Sequence, residues 1–177
     1  MYYDSTSNKM YFASPAKFIS FNGKEFKVYT ENEGYVIKGS SGQIISFIRP
    51  DSKGRIWIAS TTPFVDKKNN GGLTYFENDK FTVFDSTNFP LDNATDFIET
   101  PYGDLIFNSS GRNTRTFEGA YLALYKSGKF VRVDESMGIT LKGAMFFPDA
   151  LRSSVDKEGN TWMAFNGGSF VIETANN

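Results

Sequence analysis

Short apolar runs bounded by turn residues recur along this chain, and four of them align without gaps: NKMYFAS (8–14), GRIWIAS (54–60), GDLIFNS (103–109) and GNTWMAF (159–165). Each opens on a turn residue and carries aromatic or aliphatic side chains at its fourth and fifth places, as a strand entered from a tight turn does. The upstream flanks FIRPDSKG, FIETPYGD and SSVDKEGN each put a short strand before a four-residue turn, and the first copy is shortened to YYDSTSNK. A second signature follows the first three copies: FNGKEFKVY (21–29), FENDKFTVF (76–84) and YKSGKFVRV (125–133). In each, an aromatic, a polar hairpin and a Phe five residues on predict two short antiparallel strands. The equivalent positions Tyr11, Trp57, Ile106 and Trp162 lie 46, 49 and 56 residues apart. Such a period suits a repeat of about four strands and roughly 40–50 residues, as in propeller folds.

The pattern therefore predicts an all-β chain of about four β-propeller-type, four-stranded antiparallel blades, over residues 1–30, 43–85, 93–134 and 149–177. Within such a blade Ile56 and Ile58 fall on one face and Trp57 on the other, so a lone sheet cannot hide both. Radial stacking of neighbours can, and each buried Trp or Phe then covers roughly 150–250 Å², about 4–6 kcal/mol gross. Tyr11, Trp57, Ile106 and Trp162 are accordingly expected to pack between blades. Fourth strands follow only three of the third strands, and the first strand is stunted. A single propeller segment is expected, an incomplete ring or part of a larger propeller, completed by the rest of a longer chain or by a second copy in a homodimer.

Composition narrows the function. Eighteen Phe and nine Tyr in 177 residues favour pleated strands. Lys and Arg total 19 against 20 acids, so no basic footprint for nucleic acid is present. No apolar run reaches the roughly 20 residues of a membrane span, and MYYDSTSNKMYF lacks the start of a signal peptide, so no membrane contact within this chain is expected. With no Cys and no His, thiolate catalysis, Cys-ligated zinc and the usual triad base are excluded. No cofactor, metal or catalytic residue is expected.

Loop lengths point to one rim. The connections between first and second strands and between third and fourth are short. Those between second and third strands, and from fourth to first, include TTPFVDKKNNGG, SGRNTRTFEGA and DESMGITLKGAMFFPDA. Long loops on a rigid scaffold are where binding residues concentrate. On that rim Phe64, Asp66, Lys67 and Lys68 come from one blade and Arg112, Arg115, Phe117 and Glu118 from the next. Aromatic faces with guanidinium and carboxylate groups grip a sugar or a small anion, although Lys67 and Lys68 also suit a solvated loop. Tyr35, Phe146 and Phe147 lie in fourth-to-first connections, where the MFF run suits core plugging. Asp51, Asp79 and Asp156 stand in turns, where Asp caps backbone amides more often than it binds calcium. SVDKEGNTW resembles the sialidase Asp-box with one extra residue between Asp156 and Gly159, and that box is structural. Acceptor patterns for N-glycosylation occur at Asn93 and Asn108.

The run ISFIRPDSKGRIWIAS followed by GGLTYFENDKFTVF, with SSVDKEGNTWMAF and GGSFVIE as a second copy, resembles the two-component regulator propeller repeat. Ile106 and Tyr11 stand where that repeat has Trp. The resemblance implies a periplasmic or extracellular sensor propeller of bacterial histidine kinases and hybrid regulators, and in some a glycan ligand. The expectation is a non-catalytic segment that binds a carbohydrate or small anionic molecule on the long-loop rim. A protein-binding scaffold is the alternative, and a propeller glycoside hydrolase a further one that needs two carboxylates facing each other at roughly 5–10 Å.

Overall fold

Fifteen strands account for most of the residues described by the computed structural model, which are 1–37, 44–61, 72–91, 93–109, 122–133, 152–157, 160–165 and 168–172. No α-helix occurs among them, and none of their segments is a helix long and apolar enough to cross a membrane. The chain divides into two compact units, Met1–Asp85 and Ser86–Asn177.

The first unit holds two four-stranded sheets. Sheet 1 comprises β1 (Tyr2–Asp4), β2 (Lys9–Ala13), β3 (Phe18–Phe21) and β4 (Phe26–Tyr29); sheet 2 comprises β5 (Ile44–Pro50), β6 (Ile56–Thr61), β7 (Leu73–Glu77) and β8 (Lys80–Phe84). The second unit holds sheet 3, of β9 (Asp96–Glu99), β10 (Leu105–Asn108), β11 (Leu122–Lys126) and β12 (Lys129–Val133). It also holds sheet 4, with β13 (Arg152–Val155), β14 (Thr161–Phe165) and β15 (Gly168–Ile172) among the described residues. Every strand pairs antiparallel with its neighbours in chain order, so each sheet is a meander built from local contacts.

Turn chemistry explains why the chain reverses where it does. Asn78 and Asp79, and Ser127 and Gly128, all have positive φ, the mark of the type I′ turn whose twist matches a hairpin. In sheet 1 Gly23 (φ 88°) opens the reversal, and the Asn22 amide oxygen accepts from the N–H groups of Lys24 and Glu25. The aromatic pairs flanking these turns, predicted by the five-residue spacing, meet directly across the ladder. Phe21 faces Phe26, Phe76 faces Phe81 and Tyr125 faces Phe130, with ring centroids 4.4, 4.9 and 4.7 Å apart. Such cross-strand pairs contribute roughly 0.2–1 kcal/mol each beyond alanine.

The turns before the second strands set the register of the repeats. Asp51 N–H donates to the Arg55 carbonyl, Thr100 N–H to that of Asp104, and Asp156 N–H to that of Asn160, at 3.0, 2.8 and 3.0 Å. Asp51, Thr100 and Asp156 are thus equivalent. This corrects the flank alignment read from sequence: FIETPYGD and SSVDKEGN each begin one residue late relative to FIRPDSKG. A β-bulge between Ile45 and Phe47 absorbs the extra residue in β5.

The core of the first unit lies between its two sheets. Phe18, fully buried, meets Tyr11, Tyr29 and Tyr35 of its own sheet region and Phe76 and Phe81 of sheet 2, at centroid distances of 4.9–5.9 Å. Ile56 and Ile58 join this cluster, while Trp57, one residue along in β6, points to the other face against Tyr75 and Phe84. Both faces of β6 are therefore covered, as are both faces of β10, where Leu105, Ile106, Phe107 and Asn108 are all buried. The outer strands β8 and β12 alternate or face solvent. In the second unit Phe89, which precedes β9, meets Phe107 and Phe130 edge-on, and Phe107 in turn meets Phe97 and Phe130.

Among the four equivalent residues, Tyr11, Trp57 and Ile106 are buried, but Trp162 is 48 % exposed. Trp162 thus departs from the expectation of blade packing. Trp57 is covered by Phe84 from its fourth strand, at 5.7 Å and nearly parallel. The three described strands of sheet 4 offer no counterpart to that strand.

Candidate functional site

The Asp51 turn is a densely bonded polar group. Its Oδ1 accepts from the backbone N–H groups of Lys53 and Arg55, both at 3.0 Å, and its Oδ2 accepts from Arg55 Nε at 2.6 Å and Trp57 Nε1 at 2.8 Å. A carboxylate has about four lone-pair directions, and all four are taken. The Arg55 guanidinium lies 5.3 Å from the Trp57 and Tyr75 rings, which adds a cation–π contact to a buried ion pair. Asp156 repeats the arrangement: it accepts from Asn160 N–H, from Asn160 Nδ2 and from Trp162 Nε1. In the third repeat the acid and the indole disappear together. Thr100 Oγ1 accepts from Asp104 N–H at 3.2 Å, and Ile106 occupies the Trp place. An indole N–H buried without an acceptor would cost about 1–3 kcal/mol, so the Asp and the Trp six residues on form one unit. These turns lock strands, and the Asp51 carboxylate has no lone pair left for a substrate.

A second polar cluster joins the β7–β8 turn of sheet 2 to the end of β4 in sheet 1, where Tyr29 pairs with Phe18. The Tyr29 phenol donates to Asp79 Oδ1 at 2.6 Å, and Lys27 Nζ lies 3.3 Å from Asp79 Oδ2 and 4.9 Å from the Tyr29 ring centre. Asp79 therefore serves Tyr29 and Lys27, not the turn amides expected from its position. Burial, then the hydrogen bond to Asp79, raises the Tyr29 pKa; the bonds from Tyr29 and then Lys27 lower that of Asp79. Burial raises the Tyr11 pKa, partly offset by a Ser7 hydrogen bond and reinforced by the charges of Asp4 and Asp79. Asp4 is held down chiefly by the Ser7 hydroxyl. At neutral pH the phenols are protonated donors and the acids are anions. The cluster ties the β7–β8 turn of sheet 2 to sheet 1.

The ends of the sheets away from the Asp51, Thr100 and Asp156 turns bear the long connections. In sheet 1 the connection is closed: Ser14 N–H donates to the Lys17 carbonyl at 2.8 Å, Lys17 N–H to Ser14 Oγ at 3.0 Å, and Tyr35 Oη to the Ser14 carbonyl at 2.7 Å. Burial pushes the Tyr35 phenol far above its ordinary pKa. A Thr30–Glu33 capping box and Gly34 at φ 85° fix the 3-10 turn Glu31–Glu33 that delivers Tyr35. In sheet 2, Ser60 N–H donates to the Gly72 carbonyl and Gly72 N–H to Ser60 Oγ, at 2.9 and 3.1 Å, which cinches the root of segment 62–71. In sheet 3, Thr95 N–H donates to the Asn108 carbonyl and Asn108 Nδ2 to Thr95 Oγ1, both at 2.9 Å, beside the root of segment 110–121.

Phe64, Asp66, Lys67 and Lys68, and Arg112, Arg115, Phe117 and Glu118, lie on those two segments, outside the described residues, as do Phe146 and Phe147. What is described is their anchorage, a hydrogen-bonded strand pair at the same end of two sheets. Among the described residues no group of three or more Asp or Glu gathers to hold a metal. Asn93 and Asn108, the glycosylation-pattern asparagines, are both buried, so neither side chain is presented to solvent. Sequence reading took Asn93 and Asn108 only as glycosylation patterns and missed that, with Thr95 and Ser109, they form a polar set buried at the loop end of sheet 3. One signal could have found it: the sixth position of the aligned segment is Ala13, Ala59 and Ala164 in three copies and Asn108 in the third.

No family model matches the sequence, and no curated protein matches it. Among solved structures, a luciferin-regenerating enzyme, itself β-propeller-like, is similar with a TM-score of 0.51 at 14 % identity, over 91 % of this chain. The chain spans 56 % of that structure's length. At this identity the likeness concerns the fold alone.

Proposed function

We propose that the four sheets are blades of a β-propeller and that the chain is a non-catalytic binding module, of the kind used in bacterial two-component sensors. Its ligand, a carbohydrate or a small anion, is held at the end carrying the long connections. The observation that carries this reading is the contrast between the two ends of the sheets. One is closed by tight turns whose polar groups are spent on one another. The other is a rigid set of strand ends rooting segments 62–71 and 110–121, which carry the aromatic and charged residues. The 56 % share of a propeller-like neighbour supports a ring larger than this chain, completed by further blades or by a second copy. The native location that follows is periplasmic or extracellular.

Glycan-panel thermal shift on the full chain, with light-scattering mass, tests the proposal. Replacing Arg115 and Phe117 with Ala is expected to abolish the ligand-induced shift while leaving the melting temperature of the free protein nearly unchanged. A wild-type protein indifferent to every sugar and anion tested would refute it. A protein-binding scaffold is favoured by one specific feature, the exposed apolar side chains of Phe26 and Val28 on β4. Loss of a partner from a Phe26→Ser variant, with no small ligand found, would select that reading.

A further inference from the structure

Buried polar atoms without partners are rare in folded proteins, and each requires a reason. Asn108 Oδ1 and Ser46 Oγ are two such atoms, one on the second strand of sheet 3 and the other on the first strand of sheet 2. Asn108 pairs with Asp96 across β9–β10, and Ser46 sits in the β5 bulge opposite the Ala59–Ser60 step. In the register set by the turns, Phe47 corresponds to Asp96 and Ala59 to Asn108. Both atoms therefore stand at the loop end of a first-strand and second-strand pair.

Asn108 is the stronger of the two. Its side chain is fully buried, replaces an alanine found in the other three copies, and uses its amide N–H on Thr95 Oγ1. Its carbonyl oxygen accepts from no donor among the described residues, and so carries the desolvation cost of an unsatisfied buried acceptor. Alanine would avoid that cost, as the other copies do. The neighbouring buried groups, Asn93, Thr95 and Ser109, are neutral amides and hydroxyls. The charged residue directly across the ladder is Asp96, an anion whose Oδ1 accepts from Phe97 N–H at 2.8 Å. Neutral acceptors and hydroxyls beside a carboxylate oppose an anionic ligand and suit one rich in hydroxyl donors.

We propose that Asn108 is a ligand-binding residue at the loop end of sheet 3, whose amide oxygen accepts a hydroxyl of a neutral saccharide. This rests on the binding reading above and decides between the two ligand classes it leaves open. The test titrates the 15N-labelled full chain with neutral cello-, xylo- and manno-oligosaccharides and, in separate arms, with uronic-acid oligosaccharides, sodium sulfate and calcium chloride. The expected result is a shift of the Asn108 side-chain amide resonances with a neutral saccharide. An Asn108→Leu variant should bind that saccharide at least ~10-fold more weakly, while its free form melts within a few degrees of wild type, since the unpaired acceptor is gone. Should the variant fail to fold, the wild-type resonances decide alone. Neutral saccharide binding with an unshifted Asn108 amide overturns this subsite and leaves the binding function standing. Binding of uronate, sulfate or calcium alone overturns the neutral class. No binding by any probe removes both.

Discussion

Replacing Asp51 with Ala separates the structural role of the Asp–Trp turn from its mere presence in the sequence. Four donors lose their acceptor: the N–H groups of Lys53 and Arg55, Arg55 Nε and Trp57 Nε1. Lys53 is exposed and finds water, but Arg55 and Trp57 are buried, Trp57 completely. An unpaired buried donor costs about 1–3 kcal/mol, and breaking a buried ion pair from one side costs about 3–5 kcal/mol. The contacts of Arg55 with the Trp57 and Tyr75 rings return about 1 kcal/mol. The expected loss is about 4 kcal/mol, a large part of the roughly 5–15 kcal/mol that holds a domain folded. Asp156→Ala removes the same kind of acceptor, but Trp162 is 48 % exposed and its indole can turn to water, so about 1 kcal/mol is expected. The chain has two tryptophans, one in each compact unit, so urea unfolding followed by fluorescence in Trp57→Phe and Trp162→Phe backgrounds reads each unit separately. Equal losses for the two variants, or a loss under ~2 kcal/mol for Asp51→Ala, would refute the argument that burial sets the worth of this bond.

Three further outcomes follow from the same structure. Phe18→Ala removes a ring that meets five others in the core of the first unit and is expected to cost about 3–5 kcal/mol by denaturant unfolding. Gly54 has φ +81° with open space where a Cβ would stand, so Gly54→Ala should cost about 1–2 kcal/mol through backbone strain alone, with ligand binding intact. Tyr29→Phe removes the phenol that bonds Asp79, and NMR titration should show the Asp79 pKa rising back toward 3.8. Because the folded pKa is depressed, this bond stabilises above the ordinary carboxylate value and is lost as pH falls through the lowered one. The variant should therefore show a flatter stability profile at acid pH.

The sequence by itself determined where the strands and their hairpins lie. The four aligned segments became second strands, and the aromatic–hairpin–Phe spacing became cross-strand ring pairs, because a two-residue turn fixes which residues face each other. That Ile56 and Ile58 would part from Trp57 followed from the two-residue period of a strand. Tertiary structure alone decided what each side chain meets. Trp57 and Trp162 share a motif and a hydrogen bond, yet one is buried and the other half-exposed, since cover comes from strands distant in sequence. Asp79, read as a turn cap, bonds Tyr29, fifty residues away, for the same reason. The unpaired oxygen of Asn108 was equally hidden: the aligned repeats record that an asparagine replaces an alanine, but only packing reveals that its oxygen meets no donor among the described residues.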